Sequence, residues 1–359
     1  MDIPTFAANT TAEPAEPNGM STVVDGGAEK TLFLPCWSVL LCAVVIASVA
    51  AVGIFLNTFL IFVTVQTKQL HGSANALLAL NSLFEVFHAF GHFVFLCVAL
   101  SDRCSPLSYR NSYRSLALSL FGLFAASFSM LFSGFDRLFC VFFPLNYFRF
   151  SHFWRCFAIA FSLCAIPCIA LTVAFWRRGE EVPTMEVTGS IGDLIINGGF
   201  AFALYSFAKF ACTSGTVLLY AFLAIWLWHK RNDQIQSMAH CANRRIFISL
   251  FVIVLFNVGG YFLIAIFYVF WPPSAHPSAQ FWLVRMVLSI PANLSGASNA
   301  PILFMTSSDY RKAFKKQCQN ILLLLGQNRN SAIHPTTVFV LPQRQNRQRQ
   351  RQNVFASRR

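Results

Sequence analysis

The 359-residue sequence is 56% hydrophobic, 15% aromatic and only 11% charged, with 40 phenylalanines and a formal net charge of +13. A soluble domain carries about 25% charged residues, and a chain this apolar would expose large sticky patches in water. The composition excludes an ordinary soluble domain and gives most of the chain lipid as its solvent.

Residues 1–33 are polar and acidic, with Asp2, Glu13, Glu16, Asp25 and Glu29 and no basic stretch leading into an apolar run. That pattern predicts no cleavable signal peptide, so the first apolar stretch is expected to do the targeting. Asn9-Thr10-Thr11 is a candidate N-glycosylation acceptor. Seven stretches then reach the ~20 mainly apolar residues that a helix needs to cross a bilayer: 34–65, 74–100, 116–143, 153–175, 198–228, 246–271 and 281–305. The alternating ~10-residue segments of a membrane barrel are absent. Linkers are short and polar, and no internal repeat is evident. The expected fold class is all-α: a seven-transmembrane helix bundle over 34–318, preceded by an extracellular segment 1–33 and followed by a cytoplasmic tail 319–359.

Lys and Arg concentrate on cytoplasmic loops. With the N-terminus outside, twelve basic residues near span ends lie inside, Lys68, Arg149, Lys230, Arg244 and Lys312 among them, against six outside. The bias predicts an extracellular N-terminus and a C-terminus in the cytoplasm. From 342 to 359 the tail is rich in Gln, Asn and Arg, so disorder is expected. That tail is either simply solvated or held to anionic membrane lipids, each basic residue near the surface contributing roughly 1 kcal/mol. No nucleic-acid partner is expected.

Of the eleven cysteines, most fall inside the spans, where they behave as small apolar residues. Cys36 and Cys104 are the two that fall on the oxidising side, which makes Cys36–Cys104 the candidate bridge.

The third span closes on Asp136-Arg137-Leu138, followed by Pro144-Leu145 and Tyr147. An acid–base pair at the mouth of an apolar helix is costly unless it is paired or used. This string resembles the Asp-Arg-Tyr and Pro-Leu-x-Tyr signature of rhodopsin-like G-protein-coupled receptors. Gly53 and Asn57 in the first span, Asn75 and Glu85 in the second, and Tyr220 late in the fifth resemble further positions of that family. Asn299-Ala300-Pro301-Ile302-Leu303 looks like a degraded Asn-Pro-x-x-Tyr, and Asp309 to Phe314 resembles a short amphipathic eighth helix, with Cys318 as a palmitoylation candidate. The departures are as clear: Phe256-Asn257-Val258-Gly259-Gly260-Tyr261 stands where the family has Cys-Trp-x-Pro, the fifth span lacks the family's proline, and 177–198 holds no cysteine. This drift is similar to nematode serpentine chemoreceptors, the srsx-type group in particular.

The resemblance implies a receptor with a heterotrimeric G protein and an extracellular ligand as partners. It also implies that Asp136, Arg137, Pro144, Tyr147 and Tyr220 serve coupling. In that scheme Arg137 pairs with Asp136 at rest and turns to the G protein on activation. The alternative for Arg137 is a basic residue that snorkels to the interface.

Glu85, His88 and His92 lie within ~60° of one helix face. Ionisable residues inside a span are functional candidates by default. Three readings stay open: a metal site, a polar network with Asn57 and Asn299, or helix–helix hydrogen bonding. The same stripe supports a rival function, an ion- or proton-coupled transporter. Lys209 and Arg285 are the ligand-binding candidates, because a cation in an apolar span needs a partner or a purpose. They either clamp an anionic ligand, or Lys209 pairs with one of the loop acids Glu180, Glu181, Glu186 and Asp193 while Arg285 snorkels. No nucleophile elbow, phosphate loop or Cys-x-x-Cys set is present, so neither an enzyme nor a cofactor nor a metal is expected.

Overall fold

The first apolar stretch forms a single helix, α1 (Cys36–Gln66), and a 3-10 turn at Lys68–Leu70 leads from it into α2 (Ser73–Leu100). These belong to a computed structural model that describes residues 36–101, 107–143, 146–147, 152–230, 238–270 and 279–333, all within one unit, Leu34–Arg359. The chain continues through β1 (Leu107–Ser108), α3 (Tyr109–Phe142), α4 (Phe153–Glu181), β2 (Glu186–Val187) and a short α5 (Ile191–Ile196). It then forms α6 (Phe200–Lys230), α7 (Met238–Phe270), α8 (Ala279–Ala297), α9 (Asn299–Thr306) and α10 (Ser308–Ile333). The spans expected from hydropathy correspond to α1, α2, α3, α4, α6, α7 and the α8–α9 pair, so the protein is an all-α seven-transmembrane bundle. Among the described residues, α1 to α4 and α6 are each long and apolar enough to cross a membrane unaided.

Several boundaries differ from expectation, α4 running on to Glu181 and α7 starting at Met238, and three of the differences have a clear physical reason. The seventh span is two helices, not one. Pro301 has no N–H for the carbonyl of Ala297 and its ring crowds that carbonyl, so α8 stops there and α9 restarts after Ser298. The third span starts seven residues early because Ser108 caps it, accepting from the Asn111 amide at 3.4 Å. The eighth helix is not short: α10 runs to Ile333, taking 319–333 out of the expected tail, and Ile321 with the four leucines 322–325 are good helix material. Its stripe of Tyr310, Ala313, Phe314 and Gln317 is buried while Arg311, Lys312, Lys315 and Lys316 are exposed.

Lipid offers no hydrophobic drive between helices, so close backbone approach and interhelical hydrogen bonds hold the bundle. Gly122 of α3 sits directly on α2, where a β-carbon would stand 2.6 Å from both His88 N and Phe84 O. Three apolar clusters fill the interior, one of them joining Cys42, Ile46, Phe95 and Met286. Phe84, Leu116, Leu120, Phe124, Cys164 and Phe175 join α2, α3 and α4, while Leu60, Val63, Tyr220, Ile253, Leu303 and Phe314 close the end at which Arg137 lies. Outward, Phe55, Phe207, Phe210, Leu218 and Phe262 are exposed, as lipid-facing residues should be.

At the opposite end, β1 and β2 pair antiparallel, and α5 inserts Ile191, Leu194 and Ile195 into the bundle. The segment is pinned by Tyr109, whose amide donates to Met185 O at 2.7 Å and whose hydroxyl donates to Leu194 O at 3.2 Å. Short strands and a plug helix in this linker were not legible in the sequence.

Candidate functional site

At its end, α3 turns Arg137 inward, where the residue is only 6% exposed. Asp136 holds it: Arg137 Nε donates to Asp136 Oδ2 at 3.0 Å and Nη2 donates to the same oxygen. Tyr147 reaches back from the linker to accept from Arg137 Nη2, donates to Asp136 Oδ2 at 3.4 Å, and shares a hydrogen bond with Ser73 Oγ at the start of α2. Burial pushes the Tyr147 phenol up to about 12, against the pull of the Arg137 charge. A charge-assisted cluster therefore ties α3, α2 and the connecting linker together. Tyr220 of α6 lies beside it, 1% exposed, with its hydroxyl 3.4 Å from Ser133 Oγ. The sequence singled out Asp136, Arg137, Tyr147 and Tyr220, and the structure brings the first three into direct contact. Ser73 was missed, having no signal beyond its place at a helix start. Pro144 lies outside the described residues.

Deeper in the bundle a chain of buried asparagines links α1, α7, α8 and α9. Asn57 Nδ2 donates to Gly53 O at 3.0 Å and Gly296 O at 3.1 Å, and Asn299 Nδ2 approaches Asn57 Oδ1 at 3.5 Å. Asn257 extends the chain, donating to Asn299 Oδ1 at 3.1 Å and Ile253 O at 2.9 Å. It was missed as a member, although a buried amide in an apolar span is itself a signal. Interhelical bonds of this kind contribute about 0.6 kcal/mol each in membrane helices. Asn75 does local work instead, donating to Leu70 O at 2.9 Å in the turn before α2.

The stripe on α2 divides. His88 and His92 stack edge to face with centroids 5.1 Å apart. Glu85 turns instead to a cleft enclosing about 350 Å³ of empty space, open solvent included, which it lines with Ser127, Lys209, Thr213, Asn257 and Tyr261. Among the described residues no group of three His, Cys, Asp or Glu side chains is arranged to hold a metal.

Lys209 and Arg285 have separate surroundings. Lys209 Nζ donates to Ser127 Oγ at 2.7 Å and lies 3.6 Å from the Tyr261 ring centroid, and the acid coupled to it is Glu85. The sequence had offered the loop acids as partners because it could not show that α2 and α6 face each other. Of those acids, Asp193 is coupled to Arg285 instead. Burial raises the Asp193 carboxyl, opposed by bonds from Thr188 and Asn197 and by the Arg285 charge. Arg285 lies over Trp282, its guanidinium filling the space that a side chain on Gly192 would need.

A comparison with protein families matches residues 50–318 to the serpentine type 7TM GPCR chemoreceptor Srsx. The chain belongs to that family. The comparison with curated proteins returns no match. Membership makes this an Srsx-family receptor, a multi-pass membrane protein of a chemosensory class, and sets the transporter reading aside. The Arg137 cluster, Tyr220 and the asparagine chain all fall within the matched span. Cys318 also does, and it is exposed on α10. The Asn9 acceptor and Cys104 lie outside the described residues, as does the Cys36 side chain, so the candidate bridge does too.

Proposed function

We propose that this receptor sits in the plasma membrane with its N-terminus outside and converts binding of an extracellular ligand into activation of a heterotrimeric G protein. The supporting observation is the held state of Arg137, buried against Asp136 and Tyr147 at the end that the basic bias turns to the cytoplasm. A cation at that depth is costly unless it is paired or used. A ligand that favours a second arrangement of the bundle shifts the population toward it and frees the guanidinium for the G protein. The ligand-facing side is then the end closed by α5, where an anion would meet Arg285 beside Trp282. Cys318 on α10 is the proposed palmitoylation site, holding that amphipathic helix to the inner leaflet.

The test is Arg137→Ala in cells carrying a calcium or cyclic-AMP reporter, with signal normalised to surface receptor. Basal signal and responses to active compounds from a metabolite and short-peptide screen should both fall at least tenfold while surface display persists. Unchanged signalling by Arg137→Ala overturns the reading.

A further inference from the structure

We propose that Glu85 and Lys209 form a charge latch that holds α7 against the bundle, and that opening this latch releases α7 for signalling. The proposal rests on the receptor reading above and adds the element that moves and the pair that restrains it.

Five spans meet at this one pair. Glu85 of α2 is seated over Gly296 of α8, where a β-carbon would stand 2.5 Å from Glu85 Oε2. Lys209 of α6 donates to Ser127 Oγ of α3 at 2.7 Å, and its ammonium stands 3.6 Å from the ring centroid of Tyr261 on α7. Both charges line the same cleft and each is coupled electrostatically to the other. An isolated charge at this depth is strongly unfavourable, and an opposite charge across the cleft offsets part of that cost for each.

α7 runs from Met238 to Phe270 without a proline, the usual cause of a sharp kink. Gly259 and Gly260 stand immediately before Tyr261, and a glycine pair is itself a place where a helix bends, so a hold on Tyr261 restrains α7 at its most deformable point. What holds its middle is the ring of Tyr261 under the ammonium, a cation–π contact strengthened by the dry surroundings. Asn257, one turn away on α7, lines the same cleft. Glu85 Oε1 and Asn257 Oδ1 are both buried there without a hydrogen-bond partner. The grip on α7 at this level is thus charge and ring together with the hydrogen bond from Asn257 to Asn299. Such a grip weakens steeply with small displacements of the ring or of either charge. An outward shift of α7 takes the ring from the ammonium, so the closed arrangement alone enjoys the full interaction. That difference between states is what a two-state element requires.

The experiment compares Lys209→Met, Glu85→Gln, Tyr261→Leu, the double variant Glu85→Gln/Lys209→Met, and the charge-preserving Lys209→Arg. Two readouts are taken. One is ligand-independent reporter signal per surface receptor. The other is the separation between fluorescent amino acids placed at Phe139 of α3 and Phe251 of α7, measured on purified receptor without G protein. Each single substitution should widen the separation and raise basal signal about fivefold or more. The double variant should do no more than the larger single, and Lys209→Arg, which keeps the charge, should widen the separation less than Lys209→Met. Additive singles, or an unchanged separation, overturn the latch. Where loss of a buried charge prevents surface display, Ser127→Ala and Tyr261→Leu decide. Both should shift the separation in the same direction, the first by less, and no shift in either overturns the proposal. Widening with a silent reporter in every variant keeps the latch and sinks the G-protein reading instead.

Discussion

Glu85 lies over the bare backbone of Gly296, so close that a β-carbon on residue 296 would stand 2.5 Å from Glu85 Oε2 and 3.0 Å from its Cδ. The longer acid and the missing side chain fit one another, so carboxylate length on α2 and side-chain size on α8 are a single choice.

Gly296→Ala should therefore destabilise the receptor by about 1–3 kcal/mol, as overpacking of a filled interior does. Glu85→Asp in the same chain, by withdrawing the carboxylate one methylene, should recover most of that loss. Thermal unfolding of the purified receptor in detergent checks both. Gly296→Ala melting with the parent, or no recovery in the double variant, contradicts the fit.

A harder clash is expected at Gly122, where the atoms in the way are His88 N and Phe84 O, backbone that cannot swing aside. Gly122→Ala should force α2 and α3 apart and abolish surface display. Gly259 has nothing within 4 Å of its would-be β-carbon. There Gly259→Ala should be neutral or gain up to about 1 kcal/mol from helix propensity. Comparing surface display and melting of the two variants tests whether close approach, rather than glycine content, sets the cost.

Tyr147→Phe removes the hydroxyl that Arg137 and Ser73 share. A hydrogen bond to a charged group is worth about 1.5–3 kcal/mol, so loosening Arg137 should raise basal signalling roughly tenfold or more. Ser73→Ala, which leaves Arg137 its bonds to Asp136 and Tyr147, should raise it less. Equal basal signal in the parent and Tyr147→Phe would show that the tyrosine does not restrain the arginine.

The orientation has a direct check. An epitope placed before Thr5 should be labelled on intact cells, and one after Arg359 only after permeabilisation. The reverse pattern, or labelling of both ends on intact cells, discards the topology.

The number of membrane spans and the family resemblance were legible in the sequence because both rest on local chemistry. Lipid demands about 20 apolar residues per crossing whatever the neighbours do, and the Asp136-Arg137 string is contiguous with its context. Asn57 and Asn299 were visible as partners for the same reason, as polar side chains with no business in hydrocarbon. The tertiary structure alone decided which charges meet. Lys209 was read against loop acids because those lie near it along the chain, yet it faces Glu85, more than a hundred residues away, once α2 and α6 border one cleft. Hydropathy fixes that a helix crosses the membrane but not its rotation about its own axis, which small residues such as Gly122 and Gly296 set by permitting contact. The break before Asn299 lay between the two levels. Pro301 was in plain view, but a proline can bend a helix or break it, and only the structure shows the break. The α5 plug was invisible for a related reason. Six residues carry too little periodicity to announce a helix, and Ile191, Leu194 and Ile195 become core only where the bundle leaves them a place.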